Sequence, residues 1–135
     1  MNPENINWLA VLVATISAFV IGFAWYSNTL FGKVWMRVAG VSEEKAKSAN
    51  MPKIFGTAFA LTLLAAINLA FFLADPSINT WNGALYGFLT GLGWVLPGIG
   101  VTAQFEQRGW TYIFINGFYW VVSLTVMGLI LGAWR

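Results

Sequence analysis

Residues 8–26 read WLAVLVATISAFVIGFAWY, an apolar run with no charged side chain. Spanning the hydrocarbon core of a bilayer takes about 20 residues of helix. Three further runs meet that length: residues 54–73, also uncharged, residues 81–103, rich in glycine and interrupted by Pro97, and residues 112–134. None alternates at period two over ten-residue segments, as a membrane β-barrel requires. The sequence therefore predicts an all-α integral membrane four-helix bundle in one transmembrane domain covering residues 1–135. Composition agrees. Of the 135 residues, 59% are hydrophobic and 9% charged, against roughly 25% charged in soluble domains.

The connections are unequal. Residues 27–53 form the one sizeable loop, Ala74 to Thr80 is a tight turn stopped by Asp75-Pro76, and Gln104 to Thr111 is a short polar link. Within the loop, Ser42 followed by Glu43 and Glu44 reads as an N-cap with acids in the first turn. A short surface helix over residues 43–50 is expected, ended by Asn50-Met51-Pro52. Leu30 to Arg37 mixes aromatics with Lys33 and Arg37 and reads as a segment lying in the membrane interface.

Orientation follows from basic residues. Lys33, Arg37, Lys45, Lys47, Lys53 and Arg108 fall on one side, and Arg135 alone of the seven on the other. The positive-inside rule then puts the long loop in the cytoplasm and both termini outside. Trp8, Trp81 and Trp134 fall at the outer ends. Trp25, Tyr26, Trp35, Trp110 and Tyr112 fall at the inner ends, giving two aromatic belts. The N-terminal run lacks a basic start and a small-residue cleavage site, so it reads as a retained helix rather than a secretory signal.

Helix 3 carries Gly83, Gly87 and Gly91 at four-residue spacing, and helix 4 carries Gly128 and Gly132. Small residues so spaced make flat faces that let helix backbones approach. They can serve packing within the chain or between copies, and a homo-oligomer is the expectation. Pro97 lacks an N–H and should kink or unwind the inner third of helix 3. Broken membrane helices also build ion and substrate sites. Trp94 and Trp120 lie at similar depth, where they can either meet or serve as apolar bulk, with Tyr119 and Asn116 nearby. Asn68, in helix 2 nearer the outer end, and Asn116 suit hydrogen bonds between helices, and Asn116 is also placed to cap backbone freed by Pro97. Glu106 and Arg108 sit at the inner mouth between helices 3 and 4, in reach of Lys53 or Arg37 for ion pairing.

With neither cysteine nor histidine, thiolate chemistry, imidazole bases and most transition-metal sites are excluded. No carboxylate lies within a helix core, where proton-coupled exchangers normally need one. No cofactor, no metal and no nucleic acid is expected, and the partners are the lipid bilayer and further copies of the chain. No residue is assigned a catalytic role. The candidate polar or ligand-lining residues are Trp94, Pro97, Glu106, Arg108, Asn116, Tyr119 and Trp120.

Several stretches are distinctive together: Asn7-Trp8, Gly22, Trp25-Tyr26-Ser27, Phe31-Gly32-Lys33, Trp35, Phe105-Glu106, Arg108, Ile115-Asn116, Tyr119, Met127-Gly128 and Trp134. The chain resembles, over nearly its whole length, a family of small four-helix bacterial membrane proteins known only as a domain of unknown function. The resemblance implies the fold and the membrane and brings no activity, and a bacterial inner-membrane location is expected. Three roles are then weighed: a non-enzymatic membrane protein for assembly, lipid or partner binding; an oligomeric channel or facilitator using the Pro97 break and the Glu106/Arg108 mouth; and, with least support, a membrane-embedded enzyme.

Overall fold

A computed structural model describes residues 2–135. The elements in order are α1 (Trp8–Trp25), α2 (Gly32–Ala39), α3 (Glu43–Lys47), α4 (Met51–Phe72), α5 (Thr80–Thr90), a π-turn (Gly91–Val95), α6 (Leu96–Phe105) and α7 (Trp110–Ala133), with a short 3-10 turn at Pro3–Asn5. Four helices are long and apolar enough to cross a membrane: α1, α4, the continuous run Thr80–Phe105, and α7.

Asparagines start three of these spans. The side chains of Asn7, Asn50 and Asn79 accept from backbone N–H groups of the first turn, at Leu9 and Ala10, Lys53, and Asn82. Each meets donors that a helix start leaves without partners. Asn50 and Pro52 change one expectation. Instead of ending the surface helix they open α4, which begins at Met51 rather than Ile54, with proline in the first turn where its missing N–H costs nothing. The loop helix is correspondingly shorter, Glu43–Lys47, capped as expected by Ser42. The interfacial segment is a second helix, α2, that ends at Gly40 in the left-handed conformation with φ 73°.

At the break in the third span, the expectation is a kink or an unwound inner third. Pro97 does not unwind the helix. The chain instead widens by one residue over Gly91–Val95, and the Leu96 N–H reaches back to the Gly91 carbonyl. Such a π-turn absorbs the missing donor while keeping the backbone helical. Pro97 then sits in the first turn of α6.

Across the bundle the spans run in the order α4, α1, α7 and α5–α6, with α7 against every other span. The core is built of small and branched side chains: Ala10, Ala14 and Ala18 from α1, Ala66 and Ala70 from α4, and Leu124, Met127 and Leu131 from α7. The contact between α5 and α7 is backbone on backbone. A Cβ on Gly83 would strike the Gly128 carbonyl, one on Gly87 the Leu124 carbonyl, and one on Gly91 would lie 2.6 Å from the Val121 Cα. In return, a Cβ on Gly128 or Gly132 would strike the carbonyls of Gly83 and Asn79. The two glycine faces are thus spent on each other inside one chain. These two faces therefore supply no contact to a second copy.

Candidate functional site

The sequence motifs converge at one end of the bundle, where α2 folds back under α1 and α7. Gly32 makes the turn possible. It is buried, its N–H bonds the Ser27 carbonyl at 2.9 Å, and a Cβ there would sit 2.8 Å from that same oxygen. Trp25 bridges to α7, donating its indole N–H to the Ile115 carbonyl at 2.9 Å while packing on Phe31 at 4.9 Å. The Tyr26 hydroxyl donates to the Asn116 side-chain oxygen at 2.7 Å. Its ring meets Trp35 of α2 edge-on at 5.6 Å and Tyr119 of α7 at 5.4 Å. Tyr119 in turn donates to the Ala18 carbonyl at 2.8 Å, and its ring lies over Gly22, where a Cβ would make ordinary contact at 3.4 Å from the hydroxyl. Asn116 therefore serves Tyr26 and not the backbone near Pro97.

Arg108 closes the site. Its Nη1 donates to the Val38 carbonyl at 3.0 Å, in the last turn of α2, and its guanidinium lies 5.5 Å from the Tyr112 ring centre. A cation at a helix C-terminus satisfies a free carbonyl and the helix dipole together. Its Nε is buried and has no partner among the described residues. The expected pairing across the link thus gives way to a backbone contact, and Glu106, at the end of α6, is exposed. The result is an amphipathic arm clamped at both ends. Val34, Trp35 and Val38 are half-buried, and Lys33 and Arg37 point outward.

The other candidates lie elsewhere. Trp94 is 80% exposed, and Pro97 and Gly98 share its outward side of the third span. Trp120 packs instead against the core and lies edge-on to Tyr119 at 5.6 Å, so the two tryptophans do not meet. At the opposite end of the bundle an open cleft of about 490 Å³ is lined by Glu4, Asn5, Ile6, Asn7, Pro76 and Arg135. Arg135 there donates to the carbonyls of Leu73 and Ile78, which pins the α4–α5 turn. Among the described residues no three histidine, cysteine or acidic side chains come together to hold a metal.

The arrangement holds an amphipathic segment against α1 and α7. Residues 9–132 match the family model DUF1761, described as a protein of unknown function. The chain belongs to that family. No curated protein and no solved structure matches it. Of the residues singled out in the sequence, Arg108, Asn116 and Tyr119 lie together at this end. Sequence reasoning missed that Tyr26, Trp25 and Gly32 complete the same site, although their closeness in sequence to the basic arm was a signal.

Proposed function

We propose that the protein is a non-catalytic multi-pass protein of the bacterial inner membrane, with both termini outside. Its bundle holds the α2 arm in the inner interface to bind anionic lipid headgroups. The observation that carries this reading is the double clamp on α2. Tyr26 and Trp35 fix its start and Arg108 fixes its last turn, while Lys33 and Arg37 remain exposed on the outer side of the arm. An amphipathic helix with cations on its polar face lies in a membrane interface, attracted by anionic lipid. Lys45, Lys47 and Lys53 extend the same basic surface.

The glycine contact between α5 and α7 speaks against a pore within one chain, because it fills the space between the third and fourth spans with backbone. Trp94 and Pro97 face away from the other helices, where no pore within one chain could use them.

The test is lipid retention by the purified protein in mixed phosphatidylglycerol and phosphatidylcholine, read by native mass spectrometry. Phosphatidylglycerol should be kept preferentially. Each basic residue near a charged surface contributes about 1 kcal/mol. Lys33→Ala with Arg37→Ala should therefore weaken retention about thirtyfold. Equal retention of both lipids, or an unchanged double variant, refutes the reading.

A further inference from the structure

Helix α4 is the least enclosed of the uninterrupted spans relative to its length. Only Thr62, Ala66, Leu69 and Ala70 of its 22 residues are buried, and α1 is its main neighbour. Its outward face is not uniform. Ile54, Thr57, Leu61, Leu64 and Asn68 follow one another at spacings of three and four, and all are exposed, with Ile54 at 49%, Leu61 at 61% and Leu64 at 57%. That alternation is the heptad seam of two helices wound left-handed about each other. An apolar span would carry such a row of leucines by chance. The polar residues are what mark this one. Three polar side chains lie between Ile54 and Leu73, and Thr57 and Asn68 both fall on the seam, while Thr62 is turned inward.

Asn68 sets the problem the seam solves. It lies about 6 Å inside the end of α4, within the apolar stretch. One of its amide N–H groups bonds the Leu64 carbonyl at 2.9 Å. Its side-chain oxygen has no donor among the described residues, and hydrocarbon supplies none. A neighbouring helix must bring both a donor and an acceptor to that depth.

We infer that α4 pairs with α4 of a second copy of this chain along Ile54, Thr57, Leu61, Leu64 and Asn68, with the two Asn68 amides bonding each other. The one-sided distribution of Lys and Arg gives every copy the same orientation. Two copies therefore pair in parallel, and around a two-fold axis each seam residue faces its own counterpart. A carboxamide is donor and acceptor at once, so it satisfies its own copy. A single asparagine on a seam also fixes register and the number of strands. Ala60 flanks the seam and is exposed, so the backbones can draw close. This pairing is independent of the lipid reading, which concerns the arm.

The chain contains no cysteine, so single cysteines report cleanly. The experiment scans cysteine from Ile54 to Asn68 in the purified chain, reconstituted in phosphatidylcholine vesicles and oxidised. Cross-linked dimer should peak at Thr57→Cys, Leu61→Cys and Leu64→Cys and fall to background at Phe59→Cys and Leu63→Cys, on the opposite face. Asn68→Leu should require about three- to tenfold more protein per lipid to reach half-maximal cross-linking at Leu61→Cys, and Asn68→Gln should restore it. The seam residues face outward, and circular dichroism confirms that the variants keep their helices. A flat profile, a maximum on the Phe59 and Leu63 face, or adducts with other proteins in native membranes but none in pure vesicles would each overturn the pairing. Lipid retention measured on the same variants separates its failure from failure of the arm reading.

Discussion

Helices α4 and α5 both carry small residues four apart, and the protein uses them in opposite ways. On α5 and the turn after it, Gly83, Gly87 and Gly91 lie against the backbone of α7. On α4, Gly56 meets nothing within 4 Å and Ala60 is exposed. The spacing alone does not separate the two cases, because it only makes a helix face flat. What separates them is the surface opposite. Helix α7 answers α5 with Gly128 and Gly132 at the same interval, so the two backbones close on each other. Helix α1 answers α4 with Ala10, Ala14 and Ala18, and that contact uses the other side of α4, around Ala66 and Ala70. The outer side of α4 is left with a flat stripe and no partner in the chain.

Leucine at the two kinds of glycine gives the largest expected difference. Gly87→Leu places a side chain where the Leu124 carbonyl now lies, and backbone cannot move aside as a flexible side chain can. Overpacking costs about 1–3 kcal/mol where side chains can adjust, so about 3 kcal/mol or more is expected here. Gly56→Leu enters open space and should stay within about 0.5 kcal/mol of the parent protein. Both are read from denaturation in mixed micelles at high dilution, where copies do not meet. Equal losses would mean that α5 and α4 are not differently packed.

The two asparagines extend the comparison at a smaller scale. Asn116 accepts from Tyr26 across a helix contact, while Asn68 bonds within its own helix. In a double-mutant cycle, Tyr26→Phe with Asn116→Ala should couple by about 0.6 kcal/mol, the average for hydrogen bonds between membrane helices. If α4 pairs with a second copy as inferred, Asn68→Ala under the same dilute conditions should cost almost nothing, because that copy is then absent. A cost at Asn68 equal to that at Asn116 would place its missing donor inside the chain.

The same contrast explains what the sequence could and could not tell. Four spans were legible because apolar length is a property of each segment alone. Asn7 and Asp75-Pro76 are local signals at the ends of spans, as Ser42 is for the loop helix. Partnership was not legible. Gly83 with Gly128, Tyr26 with Asn116, and Arg108 with Val38 join residues far apart in the chain, and nothing local marks which flat face or which donor belongs to which. Asn50 and Pro52 show a local ambiguity as well. Proline stops one helix and starts the next with the same chemistry, and the direction was settled by the Asn50 side chain accepting from Lys53.

The smallest expected effect lies in the turn that joins the loosely held α4 to the tightly held α5. Asp75 is exposed, and its Oδ1 accepts from the Ser77 hydroxyl at 2.6 Å and from the Ser77 N–H at 2.8 Å. These two bonds, the hydroxyl's foremost, stabilise the carboxylate and hold its pKa below the ordinary aspartate value. A carboxyl group lowered on folding stabilises the fold above its unfolded pKa and loses that contribution as pH falls through the folded one. The turn should therefore loosen only in acid, below the usual aspartate range, and leave neutral behaviour untouched. Ser77→Ala removes the stronger donor, so the Asp75 carboxyl carbon should titrate at higher pH by NMR than in the parent protein. The core signals of Gly83 and Gly87 should stay in place, because α5 is held by α7 and not by its turn. If those signals moved with the Asp75 titration, the glycine contact would depend on the turn that precedes it, and the rigidity assigned to α5 would belong to the joint instead.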